Sequence, residues 1–303
     1  MKRPRGRPPA RVSVSCAAKV NLGWSVGPRH DDGYHEVQGV LQTVSLADRL
    51  EIWTCEPAEV EGDTFEVDGE PIGLVVDGPE SSEALRTADN LVFAAARCAA
   101  QRAAPRPTTI RLTKQIPSAA GLGGGSADAA GGLVGLALVW GARLQARELL
   151  RAAATIGSDV PAILSGGLVH ASGRGERVRN IGHLDGTWFV LGVSGAALDT
   201  ASVYDRLDAL RDQGDPAATG CLPNDLEPAA ISLVPTLRED IEAMRSAGAA
   251  AAFVSGSGPT IVGVVGSGEA AERIAAEVRE RFRRVEVCEA ASSGVVVGVG
   301  SGP

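Results

Sequence analysis

Polar and apolar positions first alternate in "RVSVSCAAKVNLGWSV", where Val12, Val14 and Cys16 fall on one side of an extended segment and Ser13 and Ser15 on the other. The turn-rich "GPRHDDGYHE" separates it from "VQGVLQTVSLADRLEIW", rich in β-branched residues and closing on Leu50 and Ile52. An acidic, Gly/Pro-rich region follows from Glu56 to Ser82, in which "EVDGEP" predicts a hairpin turn. A helical period then takes over: "TADNLVFAAARCAAQRAA" predicts a helix capped by Asp89 or Thr87. "TTIRLTKQI" predicts a strand on Ile110 and Leu112. After Pro117 a glycine-rich loop leads into a helix from Ser126 to about Trp140, and "QARELLRAAATIG" predicts another that stops at Gly157. "GSDVPAILSGG" reads as a loop, because Pro161 pushes Val160 towards an extended conformation.

The pattern changes near Leu168. "GTWFVLGV" predicts a strand, "TASVYDRLDAL" and "PTLREDIEAMRSAG" amphipathic helices, and "AAFVSGSGPTIVGVV" two short strands around a Gly-rich turn. A helix, "SGEAAERIAAEVRERF", and a strand, "RRVEVCEA", complete the series. Strand, helices, strand, strand, helix, strand is the ferredoxin-like order, with helices on one face of an antiparallel sheet. The expectation is an α+β chain: a leader at 1–10, domains at 11–168 and 169–290, and a low-complexity tail, 291–303, with no partner.

At 303 residues the chain has ample length to bury the cores of two domains. Its composition, 44% apolar, 22% charged and 4% aromatic, is that of a soluble globular protein. The net charge is −8, but "MKRPRGRPPA" holds Lys2, Arg3, Arg5 and Arg7; the rest carries 25 basic against 37 acidic residues, a net −12. An acidic body argues against nucleic acid as a partner, since phosphate contacts need a basic face. The Pro-rich leader reads as disordered, and no apolar region follows it as in a secretory signal. No apolar run is long enough to span a membrane. Cys16, Cys55, Cys98, Cys221 and Cys288 are scattered, without a CxxC pair, as in a cytoplasmic protein with reduced thiols. Four histidines without an HExxH cluster offer no metal site built on side-chain nitrogen and sulfur.

The sharpest chemical signal is "SAAGLGGGSADAAGG", with four glycines in the five positions 121–125. It is neither a P-loop, which needs a lysine after the last glycine, nor the dinucleotide fingerprint, which needs glycine where Ser126 stands. Glycines without Cβ let successive N–H groups converge on an anion, and the following helix adds its positive end. A mobile connector, or close helix packing at Gly131, Gly132 and Gly135, is the plainer alternative. Lys19 in "AAKVNL", Asp159 in "GSDVP", "DGYH" at 32–35 and "SGSGP" at 255–259 each have a bland reading as surface or turn residues. "PNDLE" reads as a helix start, with Asn224 capping and Glu227 completing a capping box.

Their joint occurrence decides the matter. "AAKVNL", "DGYHEVQGVLQTVSLAD", "PSAAGLGGGSADAA", "GSDVP", "PNDLE" and "SGSGPT", in this order and spanning Val12 to Val265, resemble the 4-diphosphocytidyl-2-C-methyl-D-erythritol kinase family. That family is a branch of the galactokinase, homoserine, mevalonate and phosphomevalonate kinase superfamily. Ala17, where a proline is common, and Trp24, where a smaller aliphatic residue is usual, are the departures.

The resemblance implies a ribosomal-protein-S5-like N-terminal domain that binds ATP, a ferredoxin-like C-terminal domain, and phosphoryl transfer to the 2-hydroxyl of the methylerythritol part of a CDP-linked substrate, a step of the non-mevalonate isoprenoid route. Pro117, Ser118, Ala119, Ala120, Gly121, Leu122, Gly123, Gly124, Gly125, Ser126 and Ala127 would wrap the ATP phosphates. Mg²⁺ would bridge those phosphates without an assigned protein ligand, Ser126 being a candidate oxygen. Asp159 would take the proton of the attacking hydroxyl and Lys19 would stabilise developing negative charge. Asn21 would orient the substrate, Tyr34 would stack on cytosine, and the His35 imidazole would hydrogen-bond it. Another superfamily kinase, or a non-catalytic nucleotide sensor or RNA-binding module, stays open as a competing reading; "DGYH" beside Lys19 argues against the first, and the acidic body with both Lys19 and Asp159 against the second.

Overall fold

The computed structural model describes residues 10–143, 145–215 and 223–299. The basic leader, apart from Ala10, and the end of the tail lie outside them. Two sheets organise the chain. Strands β1 (Arg11–Arg29) and β2 (His35–Thr54) form a long antiparallel hairpin at the centre of an eight-stranded sheet. Along β2, residues 49–54 pair with β5 (Thr108–Thr113) and residues 37–42 with β6 (Leu168–Gly173), so one strand carries two partners end to end on the same edge. The hairpin β3 (Asp63–Val67) and β4 (Glu70–Asp77), turned at Asp68 and Gly69 as "EVDGEP" predicts, extends the sheet beyond β5. β7 (Arg177–Gly182) follows β6.

Two assignments change here. Residues 168–182, expected to open the second domain, join the large sheet: β6 pairs with β2 and β7 with β6. Their segments, "LVHASG" and "RVRNIG", mix apolar, small and charged residues and lack a sustained alternation that would mark a strand in sequence. The valine-rich tail, expected to have no partner, forms β12 (Val295–Val299) and pairs antiparallel with β1 from Val12 to Cys16. It satisfies the outer backbone edge of β1, which would otherwise stand open.

One face of the large sheet packs against α1 (Leu91–Ala100) and α2 (Gly124–Val139). The cap of α1 is Asn90, whose side chain accepts from the Val92 N–H, in place of Asp89 or Thr87. α2 begins two residues before Ser126 and is buried on all sides. Gly131 and Gly135 allow that depth: a Cβ at either would lie 2.0 Å from Cys16 Sγ or 2.4 Å from Ile52 Cδ1. The packing reading of these two glycines therefore holds, whereas Gly132 has ordinary clearance.

α3 (Ala146–Ile156) ends at Gly157 as expected, but "GSDVPAILSGG" is not all loop: Val160–Ser165 forms α4. Pro161 sits in its first turn, where a missing N–H costs nothing. The smaller antiparallel sheet has the order β11 (Arg284–Glu289), β8 (Trp188–Val193), β10 (Thr260–Val265), β9 (Ala251–Val254). Helices α5 (Thr200–Asp212), α6 (Glu227–Leu233), α7 (Thr236–Ser246) and α8 (Gly268–Val278) accompany it around a second core. No helix among the described residues is long and apolar enough to cross a membrane.

Candidate active site

β1 alternates buried and open positions only up to Cys16; from there to Asn21 every residue is buried, because both faces of the strand are covered. Its register against β2 slips between Ala17 and Lys19 and again between Asn21 and Gly23. Such bulges re-aim side chains, and the two polar residues of "AAKVNL" stand between them. Lys19 is 4% exposed. Its ammonium lies 3.4 Å from Asp159 Oδ2 and donates to the Gly121 carbonyl at 3.0 Å. Asp159 stands at the N-cap position of α4 without bonding the helix through its side chain, and its carboxylate stays partly open, the side chain 29% exposed.

The glycine loop joins this pair from above. Gly121 and Gly123 have φ of +72° and +74°, and a Cβ at Gly123 would come within 3.0 Å of Lys19 Cγ. α2 starts directly after it, so the first-turn N–H groups of Gly124, Gly125 and Ser126 have no acceptor within the helix. Gly125 is exposed, and a Cβ there would meet only Leu91, at 3.8 Å, so there is open space beside the helix start. That is an arrangement suited to a polyphosphate. Among the described residues no group of three or more His, Cys, Asp or Glu side chains could hold a metal ion.

The smaller half closes the loop's other side. Thr260 Oγ1 donates to the Ala120 carbonyl at 2.6 Å, and Ser255 Oγ accepts the Asn21 N–H at 3.2 Å. "PNDLE" is a joint, not the capping box expected. The Asn224 amide donates to the carbonyls of Val254 and Gly256, while its oxygen accepts from Leu226 N–H. Glu227, instead of turning back on its own helix, accepts the Val254 N–H at 2.8 Å. Pro223 and Asp225 exchange backbone bonds with Trp24.

A cleft of about 1000 Å³ runs from Gly121, Gly123, Lys19 and Asp159 to the β1–β2 hairpin tip at Tyr34. Tyr34 is 56% exposed. Tyr204, on α5, also lines the cleft, its hydroxyl accepting from Trp24 Nε1 at 2.9 Å. Burial, with a smaller contribution from the Asp159 charge, raises the Tyr204 hydroxyl above its usual range. The His35 imidazole is buried, and both nitrogens meet protein: Nδ1 donates to the Gly27 carbonyl at 3.0 Å and Nε2 lies 3.3 Å from Asp208. Asn21 lines the cleft, and its Oδ1 is buried without a hydrogen-bond partner among the described residues.

Two domain families match the sequence, GHMP kinases N terminal domain over residues 90–167 and GHMP kinases C terminal over residues 205–284. The chain is 38% identical, over 91% of both sequences, to 4-diphosphocytidyl-2-C-methyl-D-erythritol kinase of Salinispora arenicola. The chain belongs to that kinase family. A crystal structure of 4-(cytidine 5'-diphospho)-2C-methyl-D-erythritol kinase superposes with a TM-score of 0.71 at 31% identity, covering 93% of this chain and all of the other. A homoserine kinase from Cytophaga hutchinsonii, 18% identical with a TM-score of 0.69 over 95% of this chain and 98% of the other, shares the fold.

This kinase also holds a buried ionic group that its sequence did not announce. Lys114, 2% exposed at the end of β5, donates to Asp48 Oδ2 and, at 2.8 Å, to Asp128 Oδ2 on α2. Its Nζ lies 3.3 Å from where a Gly124 Cβ would stand, directly beneath the glycine loop. Asp48 Oδ1 accepts two further N–H bonds, from Gln115 and Ile116. Asp128 Oδ1 is buried with no partner among the described residues. Burial, opposed by Lys114 and reinforced by Asp48, drives the Asp128 carboxyl well above the usual carboxylate range. Burial disfavours the Lys114 charge, but the two carboxylates outweigh it and raise its pKa. The periodicity that marks β5 says nothing about a lysine at its end; only the fold brings Asp48 and Asp128 to it.

Proposed function

We propose that this chain transfers the γ-phosphoryl group of ATP to the 2-hydroxyl of 4-diphosphocytidyl-2-C-methyl-D-erythritol, in the cytoplasmic non-mevalonate route to isoprenoids. The observation that carries the reading is the Lys19–Asp159 pair at 3.4 Å, in one cleft between a helix-capping glycine loop and an exposed tyrosine. ATP phosphates would lie along Pro117–Ala127, held by the first-turn N–H groups of α2, where Mg²⁺ would supply neutralisation of their charge. Asp159, partly open to the cleft, takes the hydroxyl proton, and the Lys19 ammonium stabilises the charge that develops there. Asn21 offers its buried, unpartnered oxygen to the substrate. Tyr34 stacks on the cytosine. His35 donates through Nδ1 to the Gly27 carbonyl, and its Nε2, 3.3 Å from Asp208, is the nitrogen that hydrogen-bonds the base.

The halves are read as a ribosomal-protein-S5-like domain and a ferredoxin-like domain, with the division between Gly182 and Trp188 and β12 returning to the first. Neither nucleic acid nor membrane is a partner in this reading. The test is phosphate transfer from ATP to the CDP-linked substrate, with CDP, homoserine and mevalonate as controls. Transfer to homoserine or mevalonate, and not to the cytidyl substrate, overturns it.

A further inference from the structure

We propose that Arg174 reads the diphosphate of the substrate, exchanging Asp32 for it and thereby releasing a face of Tyr34 to the base. This rests on the cytidyl-substrate reading above. The β6–β7 turn, residues 174–176, reaches across the cleft mouth towards the β1–β2 hairpin tip. Arg174 Nη2 lies 2.6 Å from Asp32 Oδ2, and its guanidinium carbon sits 4.0 Å from the centroid of the Tyr34 ring. The backbone below is fixed: Arg174 N–H donates to Glu176 Oε2 at 2.7 Å, with Gly173 and Gly175 in left-handed conformations on either side. Asp32 Oδ1 accepts the Tyr34 N–H at 3.0 Å, so the carboxylate is held while the guanidinium is the part free to move.

The cations of the cleft wall differ in what they can give up. A diphosphate brings negative charge into a cleft already lined by Asp159, Glu176 and Asp205. Lys19 is buried against Asp159 and Gly121. Arg29 lies 3.0 Å from Asp205 and 3.6 Å from Asp208, and donates to the Gly33 carbonyl. Arg174 has one carboxylate partner, and both members of that pair are more than half exposed. An exposed ion pair is weak, whereas a guanidinium fork matches phosphate oxygens in bidentate geometry. Arg174 is thus the cation that moves at least cost.

Stacking couples the two events. A base arriving without phosphates must evict Arg174 from Tyr34 with nothing to receive its charge; a nucleoside diphosphate supplies the receiver. Wild-type protein should therefore be inhibited by CDP, competitively with the cytidyl substrate, at least about tenfold more strongly than by cytidine. In Arg174→Ala that ratio should collapse towards one, through weaker CDP and tighter cytidine, while the KM for ATP stays unchanged. Asp32→Asn keeps the acceptor for the Tyr34 N–H but weakens the competitor for Arg174, so CDP should inhibit more strongly. If the CDP-over-cytidine ratio survives in Arg174→Ala, or both inhibitors weaken equally, Arg174 only supports the hairpin and the proposal is overturned. If neither compound competes with wild-type protein, the base site on Tyr34 falls as well.

Discussion

Lys19 and Asp159 lie far apart in sequence and meet because two local devices converge: a bulged strand that turns Lys19 inward, and a proline-led helix that carries Asp159 at its cap. Charge complementarity at 3.4 Å predicts that they act as a unit. Asp159→Asn and Lys19→Ala should each lower kcat by about 10²–10⁴-fold, and the double variant should lose little more than the worse single. Binding of ATP and of the cytidyl substrate should survive in Asp159→Asn, which leaves the glycine loop and Tyr34 untouched; Lys19→Ala also removes the bond to the Gly121 carbonyl, so the comparison of variants is made on kcat. Strictly multiplicative losses in kcat would separate the two residues into different steps. Asp128 makes a different kind of prediction. A carboxyl whose folded-state pKa is raised keeps its proton while the unfolded chain releases one above about pH 4. Its contribution is therefore fully present below that pH and is lost as the pH rises. Asp128→Asn, a neutral isostere, should match wild type near pH 4 and gain on it steadily towards pH 8 in thermal unfolding. An Asn variant that falls progressively behind as pH rises would mean that Asp128 is ionised against Lys114.

At the scale of elements, the glycine loop makes separable demands at neighbouring positions. Gly123→Ala places a Cβ on a residue with φ of +74° and 3.0 Å from Lys19, so both melting temperature and ATP affinity should fall. Gly125→Ala, in the helix's first turn with open space around it, should leave the fold at least as stable and still raise the KM for ATP, because its methyl enters the phosphate space. An unchanged KM in Gly125→Ala would move the phosphates away from the helix start. Which elements the sequence made legible follows the same local logic. β1 shows itself because Val12, Val14 and Cys16 face a core while Ser13 and Ser15 do not; α3 shows itself because Gly157 ends it. β6 and β7 stay hidden because their mixed residues owe their extended shape to ladder partners, β2 for β6 and β6 for β7. α4 stays hidden because Pro161 disfavours a helix everywhere except the turn it occupies. In the site, Lys19, Asp159 and the glycine run were legible as a recurring set of motifs; Tyr204, Arg174 and the Lys114 group were not, since each depends on partners from distant elements.

Across the whole molecule, the two halves are joined at many points, among them Thr260 to Ala120, Ser255 to Asn21, Trp24 to Pro223, Asp225 and Tyr204, and Asp225 to the Val26 N–H. The large sheet is also finished by the far end of the chain. Beyond the β12 ladder, Gly294 accepts the Ala17 N–H at 2.7 Å, and the Ala291 carbonyl accepts from the side chains of Gln42 and Thr43. Removal of residues 291–303 should lower the melting temperature by several degrees, on the order of 2–4 °C per kcal/mol lost, and should depress kcat through the strand that holds Lys19. A truncated protein with wild-type melting would make β12 an ornament. On the ribosome, this closure imposes a sequence of events in time. β1 emerges early and waits, its outer edge bare, until β12 follows nearly the whole chain later. An unpaired edge of that length is a template for other strands, so a stalled or prematurely ended chain carries an incomplete Lys19-bearing strand whose edge is adhesive. Quality control and catalytic competence would then be read from the same five residue pairs between Val12–Cys16 and Val295–Val299.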